Sequence, residues 1–398
     1  KGKNVVLASR YLTTNDSTYR DSTVIQGKVT MESLDSTAAL IGFMIYKNQV
    51  YVSGGSPVLK RLHIRERQGP GLQILSGANL TINDLEVKSN NNNKSSGSIN
   101  QHGGGIQISS STVTLNNAII DSNASFFGGG YHGGGLYSSG SHITITNSQM
   151  NDNISSYGGG IYSNGDSSFT LTNVSVLRDS STNNGGGLLF NGTINPIQLS
   201  NVSVQDNISN GGDGGGGIYA FQSSLHITKS SISNNLTRGS YGGGLYYYSA
   251  QTIDDQDSLE VDNSSFIGNQ SYDNGGGVHA NVISYGKATF TNVLFAKNKA
   301  GESSYNKTAG LFSITSNAGI IRVINNTFVS NEGDNTVNFS GSGTREMINT
   351  IVWHNTNTAH PVLVGTASYS NIEGVLTGEG NLNTDPAFVD YVNGDYHL

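Results

Sequence analysis

The chain is built on a short sequence pattern that recurs along most of its 398 residues. The clearest copy is Gly133–Asn153, which holds three glycines, two apolar–polar alternations and an apolar residue three places before an asparagine. The glycine clusters begin at Gly103, Gly133, Gly158, Gly185, Gly214, Gly242 and Gly275. The apolar closings are Ile120/Asn123, Met150/Asn153, Val176/Asp179, Val204/Asn207, Ile232/Asn235, Phe266/Asn269, Phe295/Asn298 and Phe328/Asn331. Both series advance in register by about 25 to 34 residues, which is typical of stacked repeats.

Each repeat predicts three short strands separated by turns, with no helical period inside it. One repeat cannot bury its apolar face alone, whereas repeats stacked about 4.8 Å apart enclose a continuous core. The sequence therefore predicts an all-β fold, a single parallel β-helix of about thirteen coils with three short strands per coil. Within 1–398 we expect irregular coils over 1–102, regular repeats over 103–300, and degenerate coils with a closing segment over 301–398.

The composition argues against two classes of partner. Charged residues make up only 12% of the chain, with 21 basic against 28 acidic residues, so no cationic field exists to attract nucleic acid. No apolar run approaches the roughly 20 residues of a membrane helix, so we expect no membrane span in this chain. Cysteine is absent, which rules out disulfide staples. Because the first residue is Lys1, we expect a processed product or a piece of a longer polypeptide.

Two recurring residue types have a structural interpretation. Glycine-rich loops that bind phosphate need a strand-to-helix junction, and no helical pattern follows any of the triplets. We therefore expect the glycines to permit tight turns and close approach of neighbouring coils. The closing asparagines fall at equivalent turns, where their amides would hydrogen bond from coil to coil in a ladder.

A column of aromatic residues is the first candidate binding site. The residue directly after each glycine cluster is aliphatic and predicted to face the core, so alternation places the next residue outside. That outer column comprises Gln107, Tyr137, Tyr162, Leu189, Tyr219, Tyr246, His279 and Phe312. Its rings can stack on one another without a ligand, or they can bind sugar rings or another subunit. The candidate binding residues are Tyr137, Tyr162, Tyr219, Tyr246 and His279.

Charged clusters supply two weaker candidates. Arg61, His63, Arg65 and Arg67 would share one face of a regular strand and would suit an acidic glycan. The loop residues Asp254, Asp255 and Asp257 are a weak candidate Ca²⁺ site because carboxylate oxygens are the ligands Ca²⁺ takes. The two clusters are about seven coils apart, too far to cooperate in one small site. We expect no other cofactor or metal, and the sequence supplies no set of catalytic residues.

Asparagines in Asn-x-Ser/Thr sequences are candidate glycosylation sites. A repeat built from turn asparagines and strand hydroxyl residues also produces such sequences by coincidence. The candidates are Asn79, Asn123, Asn153, Asn207, Asn235, Asn269 and Asn338.

These motifs resemble a known group of proteins. The Gly-Gly-Gly-Ile/Leu-Tyr openings and Phe-x-x-Asn closings are similar to the repeats of chlamydial polymorphic outer membrane proteins and of the pectate-lyase-like right-handed β-helix superfamily. Thr23–Lys47 and Tyr369–Leu398, with Phe388 and Gly394-Asp395-Tyr396, resemble the ends of β-helix regions in large secreted bacterial proteins. The resemblance implies a right-handed helix at an extracellular or cell-surface location, in a group that spans adhesins, surface structures and carbohydrate-active enzymes.

Two hypotheses for function follow. The first is a non-enzymatic extracellular structural or adhesive β-helix, part of a surface or filament-forming protein, that self-associates, contacts other surface proteins or binds polysaccharide. The second is a carbohydrate-active enzyme, a polysaccharide lyase or epimerase, acting on an acidic polysaccharide. A groove that holds cationic and acidic residues on adjacent coils would favour the enzyme.

Overall fold

The computed structural model confirms the predicted all-β class. It describes residues 4–16, 18–92, 102–125, 132–249, 257–282, 286–301, 310–316, 319–333, 335–356, 362–363, 366–374 and 377–398, with backbone only in 310–316, 335 and 362–363. Two short helices, Tyr11–Thr14 and Thr18–Ser22, are the helical elements of these ranges. Neither is long and apolar enough to cross a membrane. The named strands of the described ranges pair in parallel with their equivalents one coil away, which is the arrangement of a parallel β-helix.

The strands form three sheets that run along the solenoid. Sheet 1 has 22 strands: Val6–Ala8, Val24–Ile25, Ala39–Ile41, Met44–Tyr46, Val58–Arg65, Asn79–Lys88, Thr112–Asp121, His142–Asn151, Ser168–Leu177, Ile197–Gln205, Leu225–Thr228, Ser231–Ser233, Ser258–Asp262, Ser265–Ile267, Lys287–Thr291, Leu294–Ala296, Ile320–Ile324, Thr327–Val329, Thr344–Ile348, Ile351–Trp353, Thr366–Ser368 and Asn371–Ile372. Sheet 2 has 13 strands: Val29–Leu34, Val50–Gly55, Leu72–Leu75, Ile106–Ser109, Leu136–Ser139, Ile161–Asn164, Leu188–Asn191, Ile218–Phe221, Leu245–Ser249, Val278–Val282, Gly310–Ser316, Asn335–Gly341 and Val362–Leu363. Sheet 3 has seven two-residue strands: Asn91–Asn92, Ala124–Ser125, Ile154–Ser155, Ser180–Ser181, Ile208–Ser209, Leu236–Thr237 and Gln270–Ser271.

Sheet 1 bends in the middle of each coil because one residue there is left-handed. In the strand Thr112–Asp121 this residue is Asn117, whose φ is 56°, and Leu115 and Ala118 on either side of it both face the core. Asparagine tolerates this conformation better than most residues. A second left-handed corner follows at Ser122, between sheet 1 and sheet 3. The corner at Asn117 divides the strand into two segments, and the corner at Ser122 follows its end.

The core is a set of aliphatic and aromatic columns in register from coil to coil. Val113, Ile143 and Phe169 are partners in adjacent strands, and all three are almost completely buried. Further along, Phe295 stacks between Phe266 and Phe328, with ring centroids 5.3 and 4.6 Å away. One buried cluster runs from Met31 to Ile372, so each coil is stabilised by the coils above and below it.

The glycine triplets lie where neighbouring coils approach most closely. Gly133 has a φ of 67°, and the backbone N–H groups of Gly134 and Gly135 donate to the carbonyl oxygens of Gly158 and Gly159 in the next triplet. A Cβ on Gly134 would lie 2.6 Å from the carbonyl oxygen of Ile154, and one on Gly135 would lie 2.7 Å from that of Gly160. The triplet leads into the sheet 2 strand Leu136–Ser139 and not into a helix. Its role is therefore structural, as the sequence predicts.

The predicted asparagine ladder is confirmed and lies inside the coil, at the end of sheet 1. The Asn123 amide nitrogen donates to the Asn153 side-chain oxygen at 3.0 Å, and Asn235 donates to Asn269 in the same way at 2.9 Å. We call this column the inner ladder. Its members are Asn90, Asn123, Asn153, Asp179, Asn207, Asn235, Asn269, Asn298, Asn331 and Asn355.

A second asparagine column lies outside, at the corner in the middle of sheet 1. The Asn173 amide donates to the Asn147 oxygen at 3.0 Å, and Asn201 donates to Asn173 at 2.8 Å. These residues are exposed, in contrast to the inner ladder. We call this column the outer ladder.

Candidate functional site

The predicted aromatic column lies on the outer face of sheet 2. Leu136 belongs to the core, whereas its neighbour Tyr137 is absent from the core cluster, as strand alternation requires. Tyr219 and Tyr246 form a separate hydrophobic cluster with Leu189. The column runs in register through Gln107, Tyr137, Tyr162, Leu189, Tyr219, Tyr246 and His279. The side chain of Phe312 lies outside the described residues.

A second line of rings, from the turns before the glycine triplets, covers this column. His132 stacks on Tyr162 with ring centroids 4.3 Å apart, and Tyr241 stacks on His279 at 4.5 Å and on Tyr246 at 5.8 Å. We call the two lines together the aromatic face. Because the rings pack on one another, little of each column tyrosine reaches solvent: 8% of Tyr137, 6% of Tyr219 and 5% of Tyr246.

Leu189 interrupts the aromatic face and opens a cleft in it. Its coil carries Leu189 where the coils on either side carry Tyr162 and Tyr219, and Asn184 where the preceding coil carries Tyr157. A cleft of about 410 Å³ lies above this coil. The lining residues are His132, Tyr157, Tyr162, Asn184, Leu189, Asn191, Tyr219 and Phe221. Aromatic walls with a few convergent amides are typical of small-molecule binding sites.

Amides and hydroxyls around the cleft are held by hydrogen bonds across coils. The hydroxyl of Tyr162 hydrogen bonds with Asn191 one coil further on, and the Asn191 amide donates to the Asn164 side-chain oxygen at 2.9 Å. On the opposite wall, the Tyr219 hydroxyl lies 3.5 Å from the carboxylate of Asp213, to which it donates. These bonds fix the ring orientations and leave Asp213 exposed at the rim.

Burial keeps the cleft uncharged near neutral pH. It lowers the pKa of His132 to about 4, with a smaller contribution from the neighbouring His102. Burial also raises the pKa of Tyr162 and Tyr219, so both hydroxyls remain protonated. Desolvation disfavours the charged form in each case. His132, Tyr162 and Tyr219 are thus neutral at pH 7.

The basic candidates belong to an early coil, away from the cleft. Arg61, His63 and Arg65 lie in the sheet 1 strand Val58–Arg65, and Arg67 follows this strand. The strand Val58–Arg65 is not regular, because Arg61 and Glu66 are both left-handed, with φ of 56° and 58°. These corners place Arg61 at one bend, His63 and Arg65 between the bends, and Arg67 beyond the second. The four residues would share one face only in a regular strand, and this strand is not regular.

Three of these four residues already have acidic partners. Arg61 lies 3.5 Å from Asp84, and Arg65 lies 3.0 Å from Glu66. His63 is buried with its two ring nitrogens 3.3 Å from the carboxylates of Asp21 and Glu86. Burial lowers the pKa of Arg67. A role for this patch in binding an acidic glycan stays a prediction.

The acidic loop is described only in part. Asp254 and Asp255 lie outside the described residues, and Asp257 accepts a backbone hydrogen bond of 3.3 Å from Lys287. Within the parts of the chain that the structure describes, no three His, Asp or Glu residues are grouped so as to hold a metal ion. The weak Ca²⁺ candidate therefore remains a sequence prediction.

Five of the seven candidate glycosylation sites are members of the inner ladder. Each is fully buried, and each amide nitrogen already donates within the protein, so a glycan has no room in the folded coil: Asn123, Asn153, Asn207, Asn235 and Asn269. Asn79 is exposed and Asn338 is partly exposed. These two are the candidates that the fold leaves accessible.

Comparison with known proteins identifies no family. No family model matches the sequence, and no curated protein matches it. Among solved structures, the fold is similar to the catalytic unit of a thermostable GH87 alpha-1,3-glucanase from Streptomyces thermodiastaticus, with a TM-score of 0.34 and 10% sequence identity. The similarity covers 93% of this chain and 65% of that chain. The strand pairing assigns the chain to a class of fold, the parallel β-helix, and its activity is a matter for proposal.

Sequence reasoning missed most of the residues that build the cleft. The column in sheet 2 was found through strand alternation, but His132 and Tyr157 lie in turns, where no alternation applies. A recurring signal was present, because a ring stands directly before the triplet at His132, Tyr157 and Tyr241. The break at Leu189 was a second signal, since it interrupts a run of tyrosines at equivalent positions.

Proposed function

We propose that this β-helix recognises carbohydrate through the aromatic face of sheet 2, at the cleft above Leu189. The observation that supports this proposal is the cleft, an open site of about 410 Å³. Tyr162 and Tyr219 form its walls, and Asn184 and Asn191 lie at its edge. Sugar rings have apolar C–H faces that pack on aromatic rings. Their hydroxyls need donors and acceptors, and the amides supply both.

The wider role follows the first of the sequence hypotheses. A chain of this kind would serve as a secreted or cell-surface β-helix, with carbohydrate as its partner. Its low charge and regular coils suit a structural or adhesive element. Contact with a second copy through the aromatic face is less favoured, because Tyr137 and Tyr246, which lie outside the cleft, expose little apolar area.

The test is saccharide binding by two variants that remove a wall ring. Tyr162→Leu and Tyr219→Leu preserve the fold, because Leu189 shows that this column accepts leucine. Each is expected to weaken binding about 3- to 10-fold, the contribution of one stacked ring. Isothermal titration with oligosaccharides measures the change.

The matched control is Tyr272→Leu, since Tyr272 is an exposed tyrosine outside the aromatic face. It is expected to leave binding unchanged. Binding that is absent in the wild type, or equally reduced in all three variants, would overturn the proposal.

A carbohydrate-active enzyme is the second candidate, and Asp213 is the observation that favours it. Its carboxylate stands at the cleft rim beside the Tyr219 hydroxyl, where a general acid or base would be within reach of a bound sugar. Release of new reducing ends or unsaturated products from polysaccharides, abolished in Asp213→Asn, would establish catalysis. The basic patch of Arg61, Arg65 and Arg67 lies on other walls of the early coils, so an acidic polymer in this cleft would meet none of the three.

A further inference from the structure

The aromatic face is a stack of rings from which one ring is missing. Column positions repeat about every 4.8 Å along the solenoid, so Tyr162 and Tyr219 stand roughly 10 Å apart across the Leu189 coil. Two contacts at van der Waals separation require about 7 to 8 Å. The Leu189 side chain packs between the two tyrosines, so the space for an inserted ring is the part of the cleft that lies outside Leu189.

We propose that a single uncharged pyranose ring occupies this gap, inserted between Tyr162 and Tyr219 above Leu189, in the place that a tyrosine would fill. This inference rests on the proposed function and adds to it the position and the chemical class of the sugar. It differs from simple stacking on an aromatic surface. An additional protein ring would strengthen sugar binding to such a surface, whereas here it would fill the gap and exclude the sugar.

The lining selects neutral sugars over uronic acids. The eight lining residues include no lysine or arginine, and burial keeps His132 neutral by lowering its pKa, so a buried carboxylate would find no cation to offset its desolvation. The carboxylate of Asp213 lies at the rim beside the Tyr219 hydroxyl, where it repels an acidic sugar. Hydroxyl groups, by contrast, find the amides of Asn184 and Asn191 at the edge.

The decisive variant fills the gap. Leu189→Tyr adds the missing ring, at a position where the adjoining coils already carry tyrosine, and should lower the affinity for the bound sugar at least about tenfold by occupying its site. The matched control is Gln107→Tyr, which lengthens the same column by one ring beyond Tyr137 and leaves the cleft open. Far-ultraviolet circular dichroism and thermal unfolding verify that both variants fold.

A second variant tests the proposal if Leu189→Tyr does not fold. Asn191→Phe places a ring on another wall of the cleft, at a position where the next two coils carry Phe221 and Tyr248. It is also expected to weaken binding about tenfold, by narrowing the site.

The probes are neutral gluco- and manno-oligosaccharides and, as the acidic counterpart, oligogalacturonates. Binding of a neutral series that is lost in Leu189→Tyr and kept in Gln107→Tyr supports the inserted ring. Equal or tighter binding by Leu189→Tyr overturns it while the proposed function stands. Tighter binding of the oligogalacturonates overturns the choice of neutral sugars. Wild-type protein that binds none of the probes overturns the proposed function, and this inference with it.

Discussion

Asp179 occupies a place in the inner ladder that Asn153 and Asn207 fill on the adjacent coils. One of its carboxylate oxygens accepts from the backbone and side chain of Asn153, at 2.6 and 2.9 Å. The other oxygen is fully buried and has no hydrogen-bond partner among the described residues. At the equivalent atom Asn207 has an amide nitrogen that donates to Val176 and Asn235. A protonated Asp179 would supply one such donor, and an ionised one would supply none.

Burial raises the pKa of Asp179 well above its ordinary value, so this residue makes stability depend on pH. Its stabilising contribution is complete below the ordinary carboxyl pKa of about 4 and falls as pH rises toward the folded-state pKa. We expect Asp179→Asn to raise the free energy of unfolding at pH 7 by about 1 to 3 kcal/mol, the cost of a buried unsatisfied group. Denaturant unfolding between pH 3 and pH 8 measures it.

The same experiment contains its own control. The stability difference should be smallest near pH 3, where Asp179 is protonated in both folded and unfolded states. Asn235→Asp should create the same defect at another rung and lower stability at pH 7. A difference in stability between wild type and Asp179→Asn that is independent of pH would contradict the role given to Asp179 protonation.

Local backbone conformation explains why some residues could be placed from sequence and others could not. The inner ladder was predictable because Asn123 and Asn153 fall at the same point of successive repeats. The basic cluster was not, because strand alternation assumes a continuous strand, and Arg61 and Glu66 interrupt it with positive φ. Neither arginine nor glutamate signals a left-handed corner, whereas asparagine or glycine would have done so.

Among the elements, the glycine triplet leaves no room for a side chain, because backbone atoms of the neighbouring coil lie against it. A Cβ on Gly159 would lie against the carbonyl oxygen of Gly186 and 2.6 Å from the backbone nitrogen of Ser180. Since both are backbone atoms of neighbouring coils, the strands would have to separate. We expect Gly159→Ala to lower the free energy of unfolding by about 3 kcal/mol or more, measured by thermal or denaturant unfolding.

Gly27→Ala is the matched control for this prediction, because nothing lies within 4 Å of a Cβ built on Gly27. It should change the free energy of unfolding by less than about 0.5 kcal/mol. Equal losses in the two variants would show that close approach of the coils is not what the triplet provides.

Sheet 2 shows what strand alternation in the sequence can predict and what it cannot. Alternation along Leu136–Ser139 correctly placed Tyr137 outside and Leu136 inside. It gave no information on what would cover Tyr137, because the covering rings come from turns whose path depends on the glycine triplets. The cleft is therefore a product of two elements, a strand that sequence patterns describe and a turn that they do not.

For the whole molecule, we expect stability to vary along the solenoid, because each coil contacts only its neighbours. The central strand His142–Asn151 pairs on both sides, with Thr112–Asp121 and Ser168–Leu177. Among the described residues, Val6–Ala8 pairs on one side, with Ala39–Ile41, and Val6 and Leu7 are exposed. Native-state hydrogen exchange should therefore be fastest in the first coil and slowest in the central coils. Simultaneous exchange of both regions would indicate one cooperative unit and contradict this expectation.

The two asparagine ladders also give the rod a polarity. Between side chains of the inner ladder, Asn123 donates to Asn153 on the following coil, whereas in the outer ladder Asn173 donates to Asn147 on the preceding coil. The amide dipoles of one column thus oppose those of the other. A reversed coil within the ladders would set donor against donor in one column and acceptor against acceptor in the other. The ladders thus hold the coils that carry them to one chain direction.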